Sequence, residues 1–236
     1  MEPSVRTAAL VPAAGRGLRM GGSIPKQFLA LGGHPIIIHS LRLLQSSAIV
    51  DQIILAVPAG EMDYCLTHIV AAHRFTKVTK VVPGGGERQD SVRHALEAVP
   101  EEVDVVLVHD AVRPFLTERM VKDVVSVART TGAAIVAVPM KDTVKQVGPE
   151  RLIERTLDRE GLWLAQTPQA FRRDRLLAAH RKAQAEGVRA TDDAFLMEWF
   201  GYPVAVVEGS GDNIKVTRPE DMIIGEAILA ARQKEV

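Results

Sequence analysis

Five short, largely apolar runs, residues 8–11, 51–57, 77–82, 103–108 and 133–138, alternate with segments of helical length and periodicity. The intervening segments predict helices over 35–44, 61–73, 87–98 and 117–128, with Pro35 opening the first and Thr117 capping the last. Strands that are apolar on both faces need cover on both sides, so the repetition predicts an α/β fold with a mostly parallel, twisted, doubly wound sheet flanked by helices. The run 103–108, with four consecutive aliphatic residues at 105–108, is expected at the centre. Ligands of such sheets bind beyond the carboxyl ends of the strands. Loops 12–27, 83–91 and 109–113 therefore fall on one rim.

The alternation breaks at Lys141. Runs 142–147 and 152–157 around Gly148-Pro149 read as a hairpin leaving the sheet, an arm over about residues 141–157. Its unpaired edges are expected to pair with a second copy, giving a homodimer. A strand at 162–166, helices at 173–186 and 192–200, a strand at 203–207 and an extended stretch at 213–217 follow. Pro219 then starts a helix over 220–232. With no repeat, low-complexity tract or linker, residues 1–236 are expected to form one domain.

The first rim loop, PAAGRGLRMGGSIPKQ, carries the densest chemistry. Ala13, Ala14, Gly15 and Gly17 let a ligand approach backbone N–H groups, and Arg16, Arg19 and Lys26 add three cations. Backbone donors with clustered cations suit a polyanion such as a phosphate chain; the alternative is a tight turn bearing solvated arginines. Two common phosphate loops do not fit. The dinucleotide fingerprint needs glycine where Met20 stands, and the Walker A pattern needs lysine where Ser23 stands.

Elsewhere on the rim, Gly84, Gly85 and Gly86 precede Ser91, whose position at a helix start lets its hydroxyl reach a base or ribose. Asp110 ends the central strand; beside phosphates it either holds a bridging Mg²⁺ or caps the next turn. Arg113 adds a cation to the same loop. Arg159, Thr167, Thr191 and Lys215 are scattered, and by composition each reads as a surface residue. Residues 212–215 are the exception, a late segment able to reach back to the rim. No histidine pair has metal-ligand spacing and no G-x-S-x-G elbow occurs. A phosphate monoester needs no such activation, being mostly dianionic at neutral pH with a second pKa of about 6.

Composition narrows the partners. Formal net charge is zero from 29 basic and 29 acidic residues, so no bulk field favours nucleic acid or membranes. Cys65, the single cysteine, allows no internal disulfide and reads as a half-buried helix residue. No apolar stretch nears the ~20 residues of a membrane span, and no signal pattern opens the chain, so a cytoplasmic location is expected.

The pattern AAGxGxRM…PKQ resembles the loop of nucleotidyltransferases acting on sugar or polyol phosphates. The blocks AAGRGLRM, PKQF, GGGERQDSV, HDAVRPF, KDTVK, LDREGLW, QTPQAF, TDDA and DNIKVTRPED run in order from residue 13 to 221. Together they resemble the 2-C-methyl-D-erythritol 4-phosphate cytidylyltransferase family of the non-mevalonate isoprenoid pathway. The resemblance implies a Rossmann-like nucleotidyltransferase fold and Mg²⁺-dependent reaction of CTP with methylerythritol phosphate. It implies that Arg19 and Lys26 stabilise the pentacoordinate α-phosphorus, while Arg159 and Lys215 position the attacking phosphate. Ala13, Ala14, Gly15, Gly85 and Ser91 would line the cytidine pocket, with Asp110 serving ribose, phosphate or metal. Arg113, Thr143, Thr167 and Thr191 would complete the polyol phosphate site, Thr143 reaching it from a neighbouring subunit's arm. Gly86 departs from relatives that carry a polar or acidic residue there. A ribitol 5-phosphate cytidylyltransferase is the nearest rival reading; an NAD-dependent dehydrogenase and a non-catalytic nucleotide-binding module are more distant ones.

Overall fold

A computed structural model describes residues 5–15 and 25–234. In chain order its strands are β1 (Thr7–Pro12), β2 (Ala30–Leu31), β3 (His34–Pro35), β4 (Gln52–Val57), β5 (Val78–Pro83) and β6 (Val105–Val108). They continue with β7 (Ala133–Pro139), β8 (Val144–Val147), β9 (Ile153–Leu157), β10 (Trp163–Arg172) and β11 (Ala205–Glu208). The helices are α1 (Ile36–Ser46), α2 (Met62–Tyr64), α3 (Arg88–Glu97), α4 (Glu118–Thr131), α5 (Arg173–Glu186), α6 (Asp193–Trp199) and α7 (Pro219–Lys234).

Among the described residues, seven strands form the main sheet in the order β11-β7-β10-β6-β1-β4-β5. β1 runs parallel to β4 and β6, β4 to β5, and β7 to β11. β6 occupies the middle place with all its residues buried, as its composition demanded. Alternate residues of each strand face opposite sides. On one side Ala9, Val11, Leu55 and Leu107 pack against Leu41 of α1 and Val121 and Val124 of α4. On the other, Leu10, Ile54 and Val106 pack against Leu96 of α3, Leu176 of α5 and Met197 of α6. Full burial of each such side chain stabilises the fold by roughly 1.5–3 kcal/mol. The doubly wound expectation holds.

Three local expectations change. The predicted strand at 162–166 extends to Arg172 and runs antiparallel between β6 and β7. Pro168 did not end it, because a break in register between Ala165 and Gln169 absorbs the missing donor. The predicted helix 61–73 is α-helical only over Met62–Tyr64, then widens into a π-helical segment, Cys65–Ala71. The wider turn buries both Cys65 and Ile69, so the thiol is fully rather than half buried, and burial pushes it up to about 11. A small hairpin of β2 and β3 was not foreseen; Gly32 and Gly33, with φ of +57° and +77°, make its turn.

Helix ends follow local chemistry. The Thr117 hydroxyl accepts from the Met120 N–H to start α4, and Gly132, at φ +96°, closes it. Glu87 and Asp90 form a reciprocal cap on α3, and Asp192 caps α6. The arm is a separate two-stranded sheet of β8 and β9 with Val147, Leu152 and Ile153 exposed. Among the described residues no helix is long and apolar enough to cross a membrane.

Candidate active site

Backbone hydrogen bonds gather the rim loops at the carboxyl ends of the strands. Ala13 N–H donates to the Ala56 carbonyl at 2.7 Å, Gly84 N–H to Val57 at 2.8 Å, and His109 N–H to Leu10 at 2.9 Å. Buried Gln27 donates through Nε2 to the Ala13 carbonyl, tying the segment after Pro25 to the end of β1. Gly84 lies so close to Ala14 that a Cβ on it would collide with the Ala14 methyl. Ser91 Oγ accepts from Gly85 N–H at 3.1 Å and donates to the Glu87 carbonyl, fixing the glycine turn.

These loops enclose a cavity of about 800 Å³ lined by Ala13, Ala14, Gly15, Lys26, Gly85, Ser91, Arg88, Asp110 and Lys215 among others. Its size is that of a small-molecule site. Arg19 lies outside the described residues. A second cavity of about 220 Å³ adjoins it, lined by Arg113, Gln166, Thr167, Gln169, Thr191 and Asp192. Arg88, Asp110 and Lys215 line both.

Asp110 sits at that junction, 6% exposed. Its Oδ1 accepts from Arg88 Nε at 2.8 Å and its Oδ2 from Lys215 Nζ at 2.7 Å, with Arg113 Nε 4.0 Å away. Burial favours the neutral acid, but the Arg88 and Lys215 charges outweigh it and hold the carboxyl well below the usual range. Lys215 arrives there because buried Asn213 donates to Gln166 Oε1 and to the Thr167 carbonyl, while Arg113 Nη1 donates to the Asn213 carbonyl at 2.7 Å. Val216 N–H then donates to Val112. The late segment thus reaches back to the rim.

Behind Asp110 the proton positions follow from the acceptors. The Arg113 carbonyl can only accept, so His109 carries its proton on Nε2, 3.0 Å away. Nδ1 is left to accept from the Thr167 hydroxyl at 3.2 Å, and the Thr167 oxygen accepts from Asp110 N–H at 3.0 Å. Burial keeps His109 neutral, lowering its pKa to about 4. Thr167 therefore lines the small cavity with its proton already committed inward.

Thr143 and Arg159 are not brought to either cavity of their own chain. Both are exposed, on and beside the arm, where Arg159 Nη1 donates to the Lys141 carbonyl. Reading the sequence also missed Arg88, which joins Asp110 to Asp193 of α6. Arg88 stood inside the GGGERQDSV block, but nothing local marks an ion pair to a residue 105 positions away. Gln27 was likewise unmarked, and Asn213 was marked only as part of the segment 212–215, with no role of its own. Among the described residues no group of three or more His, Cys, Asp or Glu could hold a metal. The ionised Asp110 suits a hard cation that draws its other ligands from phosphate and water.

Among the described residues the hydroxyl–imidazole pair at the rim, Thr167 with His109, is buried with both ends committed, so it offers no nucleophile. What the rim supplies is position and positive charge over a mostly parallel sheet, which is the equipment of a Rossmann-like nucleotidyltransferase. The family model for 2-C-methyl-D-erythritol 4-phosphate cytidylyltransferase matches residues 7–231. The enzyme of that name from Syntrophus aciditrophicus is 45% identical over the full length of both chains, and that of Geobacter metallireducens is 49% identical over 94% of this chain and 96% of its own. The solved 4-diphosphocytidyl-2C-methyl-D-erythritol synthase of Anaerococcus prevotii superposes with a TM-score of 0.84 at 31% identity, covering 96% of this chain and 99% of its own. The chain belongs to the 2-C-methyl-D-erythritol 4-phosphate cytidylyltransferase family.

Proposed function

We propose that this chain transfers the cytidylyl group of CTP to 2-C-methyl-D-erythritol 4-phosphate, releasing pyrophosphate. The observation that carries the reading is the junction of the two cavities on Arg88, Asp110 and Lys215. CTP occupies the larger cavity, its base against Ala14, Gly85 and Ser91 and its triphosphate toward Lys26. The polyol phosphate occupies the smaller one, beside Arg113, Thr167 and Thr191. An oxygen of its phosphate forms a bond to the α-phosphorus of CTP as the bond to the pyrophosphate oxygen breaks, giving 4-diphosphocytidyl-2-C-methyl-D-erythritol.

The barrier is repulsion between two polyanions and the charge that grows on the α-phosphorus. Lys26 and Arg19 stabilise that charge, and Lys215 orients the attacking phosphate, so catalysis is by position and electrostatics. Asp110 would hold Mg²⁺ brought with the triphosphate; when bound, the ion neutralises phosphate charge. Thr143 and Arg159 serve the smaller cavity of a second copy, which makes the working unit a homodimer joined through the arm. The remaining readings are one nucleotidyltransferase domain over residues 1–236 and a cytoplasmic location.

Pyrophosphate release from CTP, measured with methylerythritol phosphate and with ribitol 5-phosphate, tests the assignment. Preference for the first is expected. Preference for the second would assign the chain to the rival activity.

A further inference from the structure

We infer that Arg88 is a positioning residue for this transfer, held to the task by Asp193 and His180. The inference rests on the function proposed above and extends it to a residue behind the reacting groups. Three helices on one face of the sheet each contribute one member. Arg88 and Asp193 are the first residues of α3 and α6, and His180 lies within α5.

The geometry is a chain of alternating charge leading from the cavity junction into the core. Lys215 Nζ meets Asp110 Oδ2 at 2.7 Å, Arg88 Nε meets Asp110 Oδ1 at 2.8 Å, and Arg88 Nη1 meets Asp193 Oδ2 at 2.8 Å. Asp193 Oδ1 lies 3.0 Å from His180 Nε2, and both residues are 1% exposed. Each oxygen of Asp110 is thereby assigned to one cation. With Oδ1 held by Arg88, the carboxylate presents Oδ2 to Lys215 in a fixed direction. A planar guanidinium can direct two bonds to two carboxylates at once, which an ammonium point charge cannot.

Two further observations separate this from a purely structural ion pair. Arg88 lines both cavities whereas Asp193 lines neither, so the pair has one end in the site and one in the core. Arg88 Nη2 is buried without a hydrogen-bond partner among the described residues. An unspent buried donor on a residue that lines both cavities calls for a functional explanation, as such groups do in native structures. Removing Arg88 leaves Lys215 with a carboxylate free to rotate, so the fault is expected in turnover rather than in nucleotide affinity.

The test uses the full chain with CTP and methylerythritol phosphate, comparing the parent with Arg88→Lys, Asp193→Asn and the double variant. Arg88→Lys keeps the charge but cannot bond both buried carboxylates, so its melting temperature should fall, and rates are compared well below it. We expect its kcat to fall about 10–100-fold while KM for CTP moves less than about threefold. Asp193→Asn should lower kcat in the same direction, and the double variant should fall no further than Arg88→Lys, because both act through one path. Turnover of Arg88→Lys within about twofold of the parent, a loss confined to melting temperature or KM, or additive effects in the double variant would each overturn the inference. Absence of transfer by the parent itself would instead defeat the function proposed above, and this inference with it.

Discussion

His109 sets the behaviour of the rim at the scale of single residues. The unfolded chain binds a proton on this side chain at the ordinary histidine pKa of 6.5, but the folded chain binds one only near 4. Protons therefore favour the unfolded state in that window, and stability must rise with pH from about 4 to about 6.5. The two end points correspond to about 3 kcal/mol. Urea unfolding of the parent and His109→Gln across this range should show the parent losing that much more on acidification; equal slopes would contradict the buried neutral imidazole. Asp110 and Asp193, both held below the usual carboxylate range, contribute stability that is present above their unfolded pKa and lost only at more acid pH. For chemistry, Lys26→Ala and Lys215→Ala should each lower turnover about 10²–10³-fold, measured as pyrophosphate release, with the far-ultraviolet spectrum unchanged. The residues legible in sequence were those in dense local patterns, as Lys26 and Ser91 are. Arg88, Asp193 and Asn213 act through partners tens of residues distant, and no local periodicity records such pairings.

Elements decide which of these residues meet. The turn through Gly84 and Gly85 passes against Ala14, so the loops after β1 and β5 are one packed unit. Gly84→Ala would place a Cβ on the Ala14 methyl and 2.9 Å from Ser91 Oγ. Overpacking of that kind destabilises by about 1–3 kcal/mol, and here it also spreads the nucleotide wall. A raised KM for CTP together with a lowered melting temperature is expected; an unchanged KM would mean that the turn is not part of the nucleotide site. The strand–helix alternation of the first 138 residues was legible because burial on both faces of β1, β4, β6 and β7 leaves a strong pattern, whereas the edge strand β5 is half exposed. Strand β10 was read too short, since Pro168 resembles a strand end until the register break around it is seen. The π-helical widening at Cys65 was hidden, because an i, i+4 apolar pair is shared by ordinary helices.

At the scale of the whole molecule, neutral net charge makes the anion site a local device, and the proposed dimer would extend it beyond one chain through the arm. Val147, Leu152 and Ile153 expose apolar surface on a hairpin with free edges. Sedimentation at micromolar concentration should give a dimer, and Ile153→Lys with Leu152→Glu should give a folded monomer lacking turnover, since Arg159 and Thr143 would no longer reach a site. A monomeric parent would contradict the arm as a joint. Fold class and rim were readable from sequence at this scale, whereas the division of the rim into two cavities sharing three side chains needed the folded chain. A crystal structure with CTP bound should show the base against Ser91 and Gly85, and the triphosphate within hydrogen-bonding reach of Lys26 at the mouth shared with Lys215. Density for CTP away from that cavity, with Lys26 uninvolved, would contradict the proposed nucleotide site.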